Sequence, residues 1–177
     1  MSLPHMVSYF HKPLMLSLEV PEDWARANMP DTILALFGPE VSNYRTNLGF
    51  NLHRLTLATP DSFDNLINAS YFSGRMENSF EEFQMVENAK FTLDGLEAFQ
   101  ARMKWVGEEA GARLALTQLD LLVKISPDTV CEIHGYTLQQ FETDNIPVLE
   151  YMLGSIRFIP PKPVTKGQPY HIEISPN

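Results

Sequence analysis

Hydrophobic and polar residues alternate along most of this chain, and a period of two is the mark of a half-buried β-strand. Leu14, Leu16 and Leu18 alternate with Met15, Ser17 and Glu19, so residues 13–20 read as a strand. Pro21-Glu22-Asp23-Trp24 follows as a turn, in which proline presets the backbone and Trp24 folds back onto the core. Residues 32–37 are a second apolar segment, closed by Gly38-Pro39. Leu48, Phe50 and Leu52 alternate with Asn47, Gly49, Asn51 and His53, which predicts a strand over residues 47–57. The spacing then becomes helical. Phe63, Leu66 and Ile67 share one face of a helix predicted over residues 61–76, with Thr59 or Asp61 as its cap.

From Phe80 the period returns to two. Residues 80–87 are a candidate strand that continues over 89–93 past a kink at Asn88, and Asp94-Gly95 makes a tight turn. Phe99, Ala101, Met103 and Trp105 then point one way while Gln100, Arg102 and Lys104 point the other, giving a strand with one buried and one wetter face. After a turn over residues 107–111, residues 112–125 are apolar on both faces, which places that strand at the centre of a sheet. Ser126-Pro127-Asp128 turns the chain into a partner strand over 129–137. Strand and short turn in repeated succession predict an antiparallel meander. Thr143-Asp144-Asn145 is a capping cluster, Pro147 suits a first helical turn, and Ile146, Leu149, Met152, Leu153 and Ile156 form the apolar stripe of a helix over 146–156. Pro160-Pro161-Lys162-Pro163 forms neither a packed helix nor a central strand, so it opens a tail in which residues 170–174 could add an edge strand or stay loose. No repeat and no dividing linker is visible. The layout is an N-terminal arm over residues 1–13, one α+β domain over 14–159 and a proline-rich tail over 160–177.

Composition narrows the reading. A chain of 177 residues buries roughly 70% of its unfolded surface, enough for a core without metal or disulfide. The net charge of −9 repels phosphate backbones, and no Lys/Arg run offsets it, so nucleic acid is not an expected partner. The single cysteine, Cys131, excludes an internal disulfide and a thiolate metal cluster. The longest apolar runs are too short for a transmembrane helix. The first twelve residues lack a basic region followed by an apolar core. The compartment is left open: cytoplasmic as the sequence stands, cell envelope if a leader has been removed.

Candidate chemistry is sparse. The glycines lie singly in turns, so no phosphate-binding loop is present, and no serine stands in a nucleophile-elbow context. His53 and His134 lie in candidate strands and could meet across the sheet. Glu132 and His134, two apart on one strand, share a face as an acid/base or ligand pair. Cys131, between Val130 and Glu132 in a strand, reads as a buried inert thiol. The acidic pairs Glu22-Asp23, Glu81-Glu82 and Glu108-Glu109 read as solvated charge. Trp24, Trp105, Tyr71 and Tyr136 are the aromatic residues best able to line a groove. Arg102 and Lys104 on the wetter face of their strand complete the candidate surface. No catalytic residue, cofactor or metal is expected.

The order of these features resembles the PsbP/Mog-like superfamily, in its bacterial branch of DcrB- and LpqN-type domains. The resemblance rests on LEVPEDW (18–24), NLGFNLHRLTL (47–57), the helix after it, FTLDGLEAFQARMKW (91–105), LALTQLDLLV (114–123) and YMLGSIRF (151–158). Residues 29–44 have no clear place in it, and no cysteine near the N-terminus could carry a lipid. The resemblance implies an αβα sandwich, an antiparallel sheet with helices on both sides. It also implies an accessory or binding role: members of the superfamily assist photosystem assembly, bind a small GTPase, chaperone secreted effectors or act as envelope lipoproteins. It supplies no shared catalytic residues. The expected function is thus a non-enzymatic, chaperone- or adaptor-like module with a protein partner. The alternatives are a small-ligand or lipid-binding domain with a pocket between sheet and helix, and an enzyme with a cryptic site around His53, Glu132 and His134. A long edge strand leaves a homodimer open.

Overall fold

The computed structural model describes residues 3–55, 62–109 and 111–159. Among these, ten strands form two antiparallel sheets. The smaller has the order β1-β2-β10, with β1 over Met6–His11, β2 over Leu16–Pro21 and β10 over Arg157–Phe158. The larger has the order β3-β4-β5-β9-β8-β7-β6. Its strands are β3 (Ala25–Ala27), β4 (Leu34–Val41), β5 (Tyr44–Arg54), β6 (Glu81–Leu93), β7 (Leu96–Glu109), β8 (Ala112–Ser126) and β9 (Thr129–Leu138). The predicted meander is β6 through β9, and β8 lies inside it with both faces buried through its middle.

Helices cover both faces. On one, α3 (Glu142–Gly154) and the small sheet bury Leu16, Leu18, Leu48, Phe50, Leu119, Leu121, Ile133, Leu149 and Met152. On the other, α1 (Ser62–Ile67), one π-helical turn (Asn68–Phe72) and α2 (Arg75–Ser79) lie over Phe99, Ala101, Met103, Leu122 and Val130. This is an α+β fold with the layering that the family resemblance implies.

Several elements differ from expectation for local reasons. The stretch read as an arm contains β1, whose Met6 faces Pro21 and whose His11 faces Leu16. Residues 29–44 hold β4, which runs on through Gly38-Pro39 because a bulge between Phe37 and Glu40 absorbs the proline. Ser42 and Asn43, both with positive φ, then make a two-residue hairpin into β5. The predicted helix over 61–76 breaks at Gly74, which is left-handed at φ 75. Its expected cap residues, Thr59 and Asp61, lie outside the described residues. In β6 the irregularities fall between Glu81 and Gln84 and between Met85 and Glu87, not at Asn88. β7 continues through Gly107, where a Cβ would lie 2.5 Å from the Trp105 ring. Helix α3 begins a turn earlier than predicted and encloses Pro147, because the 3-10 turn Gln139–Phe141 leads straight into it. Its expected cap residue Asn145 instead donates to Thr46 Oγ1 (2.8 Å) and Thr137 Oγ1 (2.9 Å) in the sheet. The tail lies outside the described residues. No helix is long and apolar enough to cross a membrane among those described.

Candidate functional site

Strand register puts the two histidines and the acid on one face but does not let the histidines meet: His53 lies opposite Val130 and His134 opposite Gly49, four residues further along β9. In β9, Glu132 and His134 point to the face covered by α1 and α2, opposite Asn51 and Gly49 of β5. His53 of β5 sits 3.7 Å, Nδ1 to Oε1, from Glu132. The group that organises the cluster is Asp120, directly opposite His134 in the β8–β9 ladder. Its side chain is 3% exposed and lies 2.8 Å, Oδ1 to Nδ1, from His134. Tyr71 Oη donates to Asp120 Oδ2 at 2.9 Å, and Gln118 Nε2 reaches both carboxylate oxygens at 2.9 Å. Gln118 in turn accepts from Trp105 Nε1 at 2.9 Å, and Phe80 stacks on Trp105 at 4.4 Å between ring centroids.

These contacts set the electrostatics. Burial opposes protonation of His134, but the charge and hydrogen bond of Asp120 and the charge of Glu132 outweigh it and raise the imidazole above its ordinary value. Burial first, then Asp120, raises the phenols of Tyr71 and Tyr136, so both stay protonated. Burial pushes the Cys131 thiol up to about 12, in keeping with an inert core thiol. His134, Glu132, Asp120, Arg75, Ser70 and Ser79 line a cleft of about 320 Å³. Asp120 and His134 form the base-and-orienter half of a nucleophilic site. Among the described residues no serine completes it: neither Ser70 nor Ser79 is hydrogen-bonded to His134. Among the described residues, no group of three or more His, Cys, Asp and Glu is placed to hold a metal.

Arg102 and Lys104 lie on the opposite face of the sheet. Both are half-buried beneath α3, whereas Phe99, Ala101 and Met103 on the other face are buried, so theirs is the wetter face of the strand, as the alternation predicts. Arg102 pairs with Glu87 (3.2 Å) and Glu150 (3.5 Å), and Lys104 with Glu142 (2.7 Å). Burial opposes the charge of Glu142, yet hydrogen bonds from Lys104 and Thr117 hold its carboxyl below the usual range. These two cations fasten the helix to the sheet.

A second cleft, of about 230 Å³, opens where the β4–β5 hairpin meets the start of α3. Trp24, Tyr44 and Phe141 give it three aromatic walls, and Pro4, Pro21 and Pro39 its rim. The indole of Trp24 packs against Gly38, where a Cβ would stand 3.1 Å from Nε1 and 3.2 Å from Cε2. Among the described residues Trp24 Nε1 has no acceptor, and the Asp23 carboxylate beside it has neither hydrogen bond nor ion pair. Of the four aromatics singled out from sequence, only Trp24 stands here, since Trp105 is engaged by Gln118 and Tyr71 by Asp120. Sequence reasoning missed Tyr44 and Phe141. Tyr44 lies in the segment without a family counterpart, and Phe141 precedes the predicted helix.

No family model and no curated relative matches the chain. Solved structures do. The chain is similar to cyanobacterial PsbP (CyanoP) of Synechocystis sp. PCC 6803, with a TM-score of 0.61 at 8% identity over 89% of this chain and 95% of that one. It is similar to LpqN of Mycobacterium tuberculosis, with a TM-score of 0.61 at 14% identity over 88% and 91%. It is also similar to the Ran-binding protein Mog1p of Saccharomyces cerevisiae, with a TM-score of 0.56 at 10% identity over 88% and 96%. At these identities the likeness is one of fold.

Proposed function

We propose that this chain, which has the PsbP/Mog-like fold, is a protein-binding accessory module rather than an enzyme. The observation that carries this reading is the contrast between the two clefts. Around Asp120 the polar groups engage one another, as groups that hold a fold together do. In the aromatic cleft an indole N–H and an exposed carboxylate have no partners among the described residues, beside half-buried rings of the kind that anchor protein interfaces. The neighbours in fold support the same reading: Mog1p is a Ran-binding protein, and LpqN is involved in cell envelope biogenesis. A fold does not by itself fix a function, so the site bears the weight.

The partner on this reading is a different protein. Strand β6, at the edge of the large sheet, is interrupted twice, and its exposed Glu81 and Glu82 pair with Arg113. Bulges and charges of this kind oppose edge-to-edge pairing with a second copy. The test is affinity capture from the source lysate with the intact chain and with Trp24→Phe and Asp23→Lys. A stoichiometric protein captured by the first and lost with either variant supports the reading. A catch unchanged in both variants removes the aromatic cleft from it, and no protein above background removes the reading itself.

One observation favours a second reading. Glu132 and His134 line one cleft with Asp120, and that cleft is of the size that holds a small polar ligand. Native mass spectrometry of the purified chain tests it, with a bound mass that disappears in His134→Ala as the supporting result.

A further inference from the structure

The cleft beside Asp120 contains groups that the Asp120 network does not use. Each carboxylate oxygen of Asp120 already has two partners: Oδ1 has His134 Nδ1 and Gln118 Nε2, and Oδ2 has Tyr71 Oη and Gln118 Nε2. Asp120 is therefore engaged by the protein itself, and so is Gln118, whose Oε1 accepts from Trp105. The unused groups come from both walls. From the helical wall, Arg75 brings a guanidinium, and Ser70 and Ser79 bring hydroxyls, none with an ion pair or hydrogen bond among the described residues. From the sheet, Glu132 brings a carboxylate that has His53 at 3.7 Å and no hydrogen bond among the described residues. His134 brings Nε2, the ring nitrogen that Asp120 does not take. Arg75 and Glu132 thus line one cleft with opposite charges and no ion pair between them. Asp120 favours the charged form of His134, and the cations Arg75 and His134 then match the anions Asp120 and Glu132. A lining balanced in this way selects neither a bare anion nor a bare cation and suits a ligand that carries both charges. Met76 and Phe80 add an apolar wall, and the volume of about 320 Å³ is at the small end of the ~300–1,000 Å³ of small-molecule sites. Ser70 and Tyr71 stand on the π-helical turn Asn68–Phe72, a rare form found frequently at functional sites.

We propose that this cleft binds a small zwitterion, a free α-amino acid, with the ligand's carboxylate on Arg75 and His134 Nε2 and its ammonium on Glu132; the proposal rests on the second reading above, in which the cleft holds a small polar ligand. The guanidinium fork and the imidazole give the carboxylate charge-assisted hydrogen bonds, and Glu132 accepts from the ammonium. Met76 and Phe80 favour an apolar side chain on the ligand.

The test titrates each of the common free amino acids into the intact ¹⁵N-labelled chain and follows the imidazole nitrogens of His134. The expected result is a saturable shift of His134 with at least one of them, with the Trp24 indole in the other cleft unmoved. The same side chain presented as the deaminated acid or as the decarboxylated amine binds about tenfold or more weakly. Arg75→Gln, at an exposed position, weakens the amino acid by about tenfold and leaves the amine where it was. Glu132→Gln, of the same shape, weakens the amino acid and leaves the acid no weaker. A merely structural role for either residue would not produce this crossed pattern. A silent His134 with every amino acid at millimolar concentration overturns the proposal. So does a deaminated acid that binds as tightly as its parent, which makes the cleft a simple anion site. Nuclear Overhauser contacts between residues 160–177 and His134 in the intact chain assign the cleft to the chain's own tail and overturn it too. If native mass spectrometry finds a bound mass that is lost in His134→Ala and is not an amino acid, the small-ligand reading stands and the zwitterion fails. No bound mass and no shift remove both.

Discussion

Two histidines, both enclosed, answer to pH in opposite directions because of what surrounds them. His11 is 2% exposed, and neither ring nitrogen has a hydrogen-bond partner among the described residues. Burial first, and then the positive charge of Arg26, lowers it below the ordinary value of 6.5. The folded state holds His11 neutral. It loses stability as pH falls below 6.5 toward that lowered value, and nothing changes above. His134 is raised by Asp120 and Glu132 against the cost of burial. Its contribution is whole below 6.5 and is lost as pH rises through the raised value. Urea unfolding from pH 8 to pH 5 separates them. His11→Phe gains on the wild type as the solution is acidified, whereas His134→Gln falls furthest behind at the acid end and closes the gap at the alkaline end. Parallel curves for either variant contradict its assignment. The His134 cluster was half legible in sequence. His53, Glu132 and His134 showed as a strand pattern, but Asp120 did not. Its signal was a lone carboxylate in the apolar run LALTQLDLLV, where a buried acid must find donors.

Elements were legible where period alone decides them and illegible where a tertiary contact overrides local preference. Strands β7, β8 and β9 follow from alternation and turn residues. The start of α3 does not, because the side chain of Asn145 reaches Thr46 and Thr137 and not the helix end. Strand β4 was cut short because proline normally ends a strand, and the bulge that admits it depends on pairing with β5. The junction of α3 with the sheet gives a prediction at this scale. A Cβ at Gly135 of β9 would stand 3.2 Å from Leu48 Cδ1 and 3.4 Å from both Leu149 methyls. Gly135 is what lets the helix approach this closely. Gly135→Val should push α3 outward and cost about 1–3 kcal/mol, read as a lower urea midpoint with the far-ultraviolet circular dichroism preserved. Unchanged stability would show that the helix rides higher on the sheet than the packing of Leu149 indicates.

The molecule as a whole is one sheet between two unequal cores. The core under α3 and the small sheet draws on strands of both sheets and a helix of 13 residues. The core under α1 and α2 is smaller, and its lid is three short helical pieces, none of which would be stable alone. Tyr71 to Asp120 ties that lid to the sheet through a buried hydrogen bond, and Asp64 to Lys90 through an exposed ion pair worth little. The lid should therefore open as a unit while the rest stays folded. Native-state hydrogen exchange should find the amides of Ile67, Tyr71 and Phe72 exchanging through a lower-energy opening than those of Leu149, Met152 and Leu153. Tyr71→Phe removes a hydrogen bond to a charged group, a loss of about 1.5–3 kcal/mol. It should speed lid exchange by about ten- to a hundredfold at unchanged rates in α3. Equal acceleration on both faces would mean that the two cores unfold together and that the Asp120 network couples them across the sheet. Opening on one face alone would make the His134 cleft a feature of the mobile side, and leave the aromatic cleft, built on β4, β5 and α3, on the rigid one.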